Sequence, residues 1–206
     1  MATERLGDRF GSALAFAADL HRRQQRKGSD VPYVAHLLAV AAIAIEHGAT
    51  EDEAIAALLH DAIEDQGPAY AGGAQGLRSE IRGRFGEEVL AIVEGCTDAD
   101  TEPKPPWKER KSAYLAHLEK APRSVLLVAC ADKLHNVRSM VAGLARAKDR
   151  EAFWKIFNGG RDGSLWYYRA LGKIFLERFP GALAEDLARA VLELTALAVS
   201  PKKPRG

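Results

Sequence analysis

The sequence specifies an all-α fold, a compact single domain of about ten helices, and three observations lead there. Apolar residues recur at helical spacing along almost the whole chain. No run of alternating apolar and polar residues marks a strand. The chain has 206 residues, 47% hydrophobic and 28% charged, a composition ordinary for a soluble globular protein. It is long enough to bury one sizeable core. No internal repeat and no long polar linker calls for a second domain. Residues 1–200 are therefore expected to form the domain, and 201–206 (PKKPRG) a disordered tail.

The elements follow from spacing and punctuation. Residues 8–26 are expected as the first helix, with Phe10, Ala13, Leu14, Ala17 and Leu20 on one stripe and Gly28-Ser29-Asp30 ending it. The second starts near Pro32, suited to a first turn because its missing N–H is not needed there, and stops at Gly48, a left-handed cap. Thr50 with Glu53 reads as a capping box opening a third helix that runs to Asp65. Residues 67–76 (GPAYAGGAQG) look like the most flexible internal segment. Shorter helices follow at 77–85 and 87–95, then a Pro-rich connection at 102–106 and a charged helix at 107–120. Ser124 is placed to cap a long helix through LLVACADKLHNVRSMVAGLA. Helices at 149–157, 164–179 and 184–199 complete the series.

Charge and cysteine usage exclude several classes. With 29 Lys+Arg against 28 Asp+Glu the net charge is +1, which disfavours a DNA- or RNA-binding protein, because affinity for a phosphate backbone rests on excess positive charge. Two cysteines, Cys96 and Cys130, exclude a disulfide scaffold and suit a reducing compartment. The N-terminus lacks a secretory signal, and no stretch reaches the roughly 18 apolar residues of a membrane span. A cytoplasmic location is expected.

Chemistry-bearing residues interrupt three apolar helices. His60-Asp61 and Glu64-Asp65 stand in the most apolar part of the third, with Glu64 four residues after His60 and Asp65 four after Asp61. His36 interrupts Tyr33–Val40, and Asp132 follows Val125–Ala131 with Asn136 four residues on. Taken singly, each is more often a satisfied polar core residue. Together, two imidazoles and two carboxylates make a nitrogen/oxygen set suited to Mn, Fe, Co or Zn. Such an ion lowers the pKa of its water and orients attack on phosphorus. Glu64 and Asp65 then support the ligands or handle protons; the alternative is a solvated helix end.

The order His36, His60-Asp61, Asp132 resembles the H…HD…D pattern of the HD phosphohydrolase superfamily. The likeness sharpens across His21–Lys27, Pro32–His36, His60–Asp65, Phe85-Gly86, Thr97-Asp98 and Ala131–Asn136. That series, over residues 8–145, is similar to the hydrolase domain of the RelA/SpoT family and above all to the stand-alone small alarmone hydrolases, animal members included. The HDxxED form and the ADKLHN segment carry the specificity.

The resemblance implies a helical HD fold that binds Mn²⁺, other divalent transition metals being alternatives, and hydrolyses the 3′-pyrophosphate of (p)ppGpp to GDP or GTP and pyrophosphate. Carried over residue by residue, it implies His36, His60, Asp61 and Asp132 as metal ligands and Glu64 and Asp65 as the catalytic pair. It places Arg26 on the nucleobase, Lys27 on phosphate and Asn136 on the ribose side. Arg26 can lie flat on a purine, a contact worth about 1 kcal/mol.

Of the aromatics in 151–179, Trp154 and Trp166 are expected in the core and Tyr168 at the pocket. Lys104, Lys108, Arg110 and Lys111 form a second basic cluster, read as a solvated helix face in preference to a polyphosphate channel. His21, His47, His117 and His135 are expected at the surface or in structural roles. The partner is a small-molecule nucleotide, with no nucleic acid or membrane and with room for a homo-oligomer. Two departures from the family pattern stand out: the synthetase and regulatory domains of the long enzymes are missing, so alarmone synthesis is not expected, and segment 67–76 is long. Three alternatives stay open: the same chemistry on (p)ppApp, removal of the 2′-phosphate of NADPH, or a module that binds an alarmone without cleaving it.

Overall fold

A computed structural model of the chain describes residues 6–99 and 103–199; the tail expected at 201–206 lies outside them. Eleven helices carry the described residues: α1 (Asp8–Leu20), α2 (Val34–Glu46), α3 (Glu51–Leu59), α4 (Ala62–Gln66), α5 (Gly73–Phe85), α6 (Glu87–Cys96), α7 (Trp107–Leu118), α8 (Arg123–Arg146), α9 (Arg150–Lys155), α10 (Gly160–Arg178) and α11 (Ala182–Val199). No strand forms among them; one isolated antiparallel bridge joins Gln25 and Pro32. No helix among the described residues is long and apolar enough to cross a membrane.

The 24-residue α8, about 36 Å long at 1.5 Å per residue, is the axis of the fold. It packs against α11, α2, α6 and α3, while α10 closes on α11 and α7. Val125 to Ala131 are all buried, so this stretch is apolar around its whole circumference and must be surrounded. Leu37, Leu58, Leu59, Ile63, Leu127 and Leu134 are fully buried where α2, α3, α4 and α8 meet. Asp132 leaves that apolar run on the side of α8 facing α2 and α3.

Several boundaries depart from expectation, each for a local reason. The first helix stops at Leu20 rather than 26, because the chain turns and pairs with itself: Arg26 N–H donates to Val31 O at 2.8 Å and Tyr33 N–H to Gln24 O at 2.9 Å. Arg26 therefore sits on a short hairpin, with Gly28 at φ +74° in its tip. The expected third helix divides into α3 and α4. His60 Nδ1 donates to Ala57 O at 2.8 Å, occupying a carbonyl of the preceding turn, and Asp61 adopts φ −99°, ψ 0°, the sparsely populated bridge region often found in active sites.

Segment 67–76 is ordered structure, not a floppy connection. A 3₁₀ turn spans Gly67–Ala69, and α5 starts at Gly73, four residues before the expected start. Gly76 is needed there, since a Cβ would lie 2.1 Å from Ala71 O. Ser124 does not cap α8, whose N-cap is Pro122; Arg123 already lies in the helix. The capping box forms as expected: Glu53 N–H donates to Thr50 Oγ1 at 3.3 Å and Thr50 N–H to Glu53 Oε2 at 2.8 Å.

Candidate active site

Four side chains from three places in the chain meet beside α8. His36 projects from the first turn of α2, His60 and Asp61 from the junction of α3 and α4, and Asp132 from the middle of α8. His36 Nε2 lies 3.2 Å from Asp132 Oδ1 and 3.5 Å from Asp61 Oδ2. His60 Nε2 lies 2.9 Å from Asp61 Oδ2 and 3.7 Å from Asp132 Oδ1. His36, His60 and Asp132 offer ligand atoms all within 4.8 Å of one another. Both imidazoles and Asp132 are buried, while the Asp61 side chain keeps 22% of its exposure.

These separations suit a shared cation. Donors about 2.1 Å from one ion stand roughly 3.0–3.4 Å apart at right or tetrahedral angles, and the imidazole–carboxylate distances bracket that range. A second observation concerns the ring nitrogens. His36 Nε2 and His60 Nε2 are buried without a hydrogen-bond partner among the described residues, although unpaired buried polar atoms are costly. Because His60 Nδ1 donates its proton to Ala57 O, a neutral His60 turns its Nε2 lone pair toward the carboxylates, the form that ligates a metal. The donor set therefore fits a divalent transition metal.

Without a cation the cluster holds the His60 proton tightly and favours ionised Asp61 and Asp132. Burial depresses the His60 pKa, but the Asp61 charge, with help from Asp132, outweighs it and lifts His60 well above the imidazole range. Burial would raise both carboxylates, yet they fall well below theirs. For Asp61 the main opposing influence is His60, and for Asp132 it is Lys133. Lys133 Nζ donates to Asp132 Oδ2 at 2.5 Å and lies 5.2 Å from the centroid of the Tyr114 ring.

The residues expected to contact substrate join the cluster through α8. Asn136 Nδ2 donates to Asp132 Oδ1 at 2.5 Å, and Arg26 donates to Asn136 Oδ1 at 2.8 Å. The Arg26 guanidinium lies 5.7 Å from the centroid of the Tyr33 ring. Lys27 is exposed and reaches Asn158 Oδ1 at 3.1 Å. Tyr168 is half-buried next to Tyr167, within electrostatic reach of Lys133, Asp132 and Arg26, and burial pushes its pKa up to about 12. Trp154 is buried in the core, whereas Trp166 is only half-buried, covered by the Lys108 ammonium.

The acidic pair divides. Asp65 accepts a hydrogen bond from Gln24 Nε2 at 2.7 Å. The residue as a whole is exposed, yet the protein around its carboxylate withholds solvent, and with the Asp61 charge this raises its pKa to about 6. Glu64 turns instead to Lys104, whose Nζ donates at 3.1 Å, and to the Asp98 backbone N–H at 3.4 Å. The expectation of a solvated face for the second basic cluster fails for Lys104, Arg110 and Lys111. Arg110 and Lys111 donate to the buried Asp98 at 2.5 and 2.7 Å, and burial and Lys133 depress the Lys111 pKa. Only Lys108 lies exposed, on Trp166. Asp98 turns Arg110 and Lys111 inward and Glu64 holds Lys104, because a buried carboxylate requires paired cations.

Four residues around the site received no role from sequence reasoning, or only a surface or structural one. Tyr33 Oη donates to Asp61 Oδ2 at 2.6 Å. Lys133 holds Asp132, and His135 Nδ1 lies 2.7 Å from His36 Nδ1. His135 was expected in a surface or structural role. Burial, then His36 and Arg26, push its pKa down to about 4. His21, also expected in such a role, is buried, stacked at 5.2 Å on Tyr33 and bonded to Gln24 Oε1. Tyr33, Lys133 and His135 stand one to three residues from an expected ligand or substrate contact, and that adjacency was the available signal; His21 stands five from Arg26.

Comparison with known proteins agrees with this picture. The HD domain family model matches residues 13–162. The guanosine-3′,5′-bis(diphosphate) 3′-pyrophosphohydrolase MESH1 of Xenopus tropicalis is 39% identical over 131 residues, 62% of this chain and 67% of that protein. Its namesake from Danio rerio is 32% identical over 79% of this chain and 90% of its own length. The guanosine-3′,5′-bis(diphosphate) 3′-pyrophosphohydrolase of Aquifex aeolicus is 36% identical, but the match spans only 17% of that longer protein. A solved structure described as a metazoan ortholog of SpoT that hydrolyzes ppGpp superposes with a TM-score of 0.71 at 26% identity, covering 93% of this chain and 98% of the other. With the model match spanning most of the chain and the two MESH1 relatives aligned over most of their length, the chain belongs to the HD-domain family.

Proposed function

We propose that this protein is a metal-dependent hydrolase that removes the 3′-pyrophosphate of (p)ppGpp, releasing GDP or GTP and pyrophosphate. The observation that carries the reading is the pair of buried, unpartnered Nε2 atoms aimed at two carboxylates, in a chain similar to MESH1 proteins along most of its length. His36, His60, Asp61 and Asp132 hold the ion, which we take to be Mn²⁺. When bound, such an ion activates water and offsets charge at phosphorus.

The chain's own groups supply the rest. The water oxygen bonds to the 3′-linked phosphorus, the bond from that phosphorus to the ribose 3′ oxygen breaks, and the ribose oxygen takes up a proton. We assign Asp65 as the acceptor of the water's proton: before the ion binds, its pKa near 6 leaves the carboxylate ionised yet basic at neutral pH. Glu64 holds Lys104, and Asp98 holds Arg110 and Lys111, so three cations face the phosphates without being free to swing away. Arg26, braced by Asn136 and Tyr33, offers its flat face to the purine. Buried free thiols at Cys96 and Cys130 support a reducing compartment.

The test is chromatography of products from a panel of ppGpp, ppApp and NADPH, with Mn²⁺ and with chelator. GDP and pyrophosphate from ppGpp are expected, lost on chelation and in Asp61→Asn. Intact ppGpp beside turnover of ppApp or NADPH overturns the substrate assignment, and turnover that survives in Asp61→Asn overturns the metal site.

A further inference from the structure

The two imidazoles of the site are oriented in different ways. His60 uses its own helix: Nδ1 donates to Ala57 O, and a carbonyl can only accept, so the proton on that ring is fixed. His36 has no such carbonyl. The equivalent oxygen three residues earlier, Tyr33 O, already accepts from the His36 and Leu37 amides at 2.9 and 3.4 Å. Its Nδ1 meets His135 Nδ1 at 2.7 Å instead, with ring centroids 4.9 Å apart. Between two imidazoles one nitrogen donates and the other accepts, and either arrangement closes the bond.

Only one arrangement leaves His36 Nε2 with a lone pair toward Asp61 and Asp132. It requires the proton on His36 Nδ1 and a bare nitrogen on His135. We propose that His135 is a positioning residue that fixes the tautomer and tilt of His36 for metal ligation; this rests on the metal-site reading above. The placement on α8 suits the task. Asp132 and His135 are three residues apart and share a helix face, so one rigid element supplies both a ligand and the partner that orients another. Groups that orient metal-bound histidines are worth about 10–100-fold in metal affinity.

Three full-length proteins test this: wild type, His135→Phe, which keeps a ring against His36 without an acceptor, and His135→Asn, whose Oδ1 accepts. The readout is Mn²⁺ affinity by titration calorimetry, with thermal unfolding of the metal-free proteins alongside. H135F is expected to bind Mn²⁺ about 10–100-fold more weakly and H135N to stay within about threefold of wild type. Wild-type affinity in H135F, or equal losses in both variants, overturns the proposal. Should H135F fail to fold, ¹⁵N NMR of the His36 ring in metal-free wild type, at a pH where the ring is neutral, decides: a proton on Nδ1 supports the inference and one on Nε2 overturns it. Wild type that binds no divalent ion fails the metal reading itself, and the ring measurement still judges the His135 bond.

Discussion

Loading the site with metal is expected to raise the unfolding temperature by an amount that one isosteric substitution nearly erases. The four donors are gathered only in the folded chain, so an ion binding there stabilises the native state alone. At a free Mn²⁺ concentration one hundred times Kd, that contribution is about 2.7 kcal/mol. A chain of 206 residues unfolds with an entropy of about 0.4 kcal/mol/K near its midpoint, so Tm rises by about 6 °C between chelator and metal. Asp61→Asn keeps the shape of the side chain and removes its charge. If the lost ligand weakens binding about hundredfold, the upper end for orienting groups alone, the same Mn²⁺ concentration equals the new Kd. The stabilisation then falls to about 0.4 kcal/mol and the shift to about 1 °C. Differential scanning calorimetry reads both shifts, each protein serving as its own reference. Removing the exposed Arg82–Glu87 pair is the control and should leave the 6 °C intact. A full shift in Asp61→Asn would refute the role given to that carboxylate.

Three further outcomes follow from local geometry. In the metal-free protein, NMR titration should find Asp65 half-ionised near pH 6; Gln24→Leu removes a donor to the charged form and should move that value upward, whereas added cation should move it down. Because the folded value lies above the unfolded one, the Asp65 contribution to stability is present at low pH and fades as pH rises through about 4 to 6. Gly83→Ala and Gly95→Ala should differ in sign by urea denaturation. A Cβ at Gly83 meets nothing within 4 Å, so helix propensity gains up to about 1 kcal/mol. At Gly95 it falls 2.5 Å from Val125 Cγ2 on a stiff, buried β-branched side chain, and overpacking of about 1–3 kcal/mol should outweigh that gain. Leu127→Ala, at a fully buried position of α8, should cost about 2–5 kcal/mol while leaving the relative metal-induced shift in Tm unchanged.

What the sequence disclosed is the part governed by periodicity and burial cost. Helices α2, α3 and α8 are legible because apolar spacing imposes them, and His36, His60, Asp61 and Asp132 stand out because ionisable groups in such runs need an explanation. The hairpin from Gln24 to Tyr33 was not legible, since its pairing depends on two backbone segments meeting, while the local spacing through Arg26 still reads as helix. The break at His60 was hidden for a similar reason: a side chain competes there for a carbonyl, which no periodicity records. Lys104, Arg110 and Lys111 read as a solvated face until Glu64 and the buried Asp98 carboxylate are seen to hold them. Tyr33 and His135 act through partners 28 and 99 residues distant, a relation that one chain read alone does not encode.

The hairpin that carries Arg26 also rests on residues far along the chain. Lys27 is tied to Asn158, 131 positions later, and a side chain on Gly28 would run into Ile156 at 3.1 Å. The hairpin bearing Arg26, which the proposed function sets against the nucleobase, is thus seated on a late segment that supplies none of the four donors. Substitutions at positions 156–158 should therefore change how Arg26 is presented while leaving the four donors where they are.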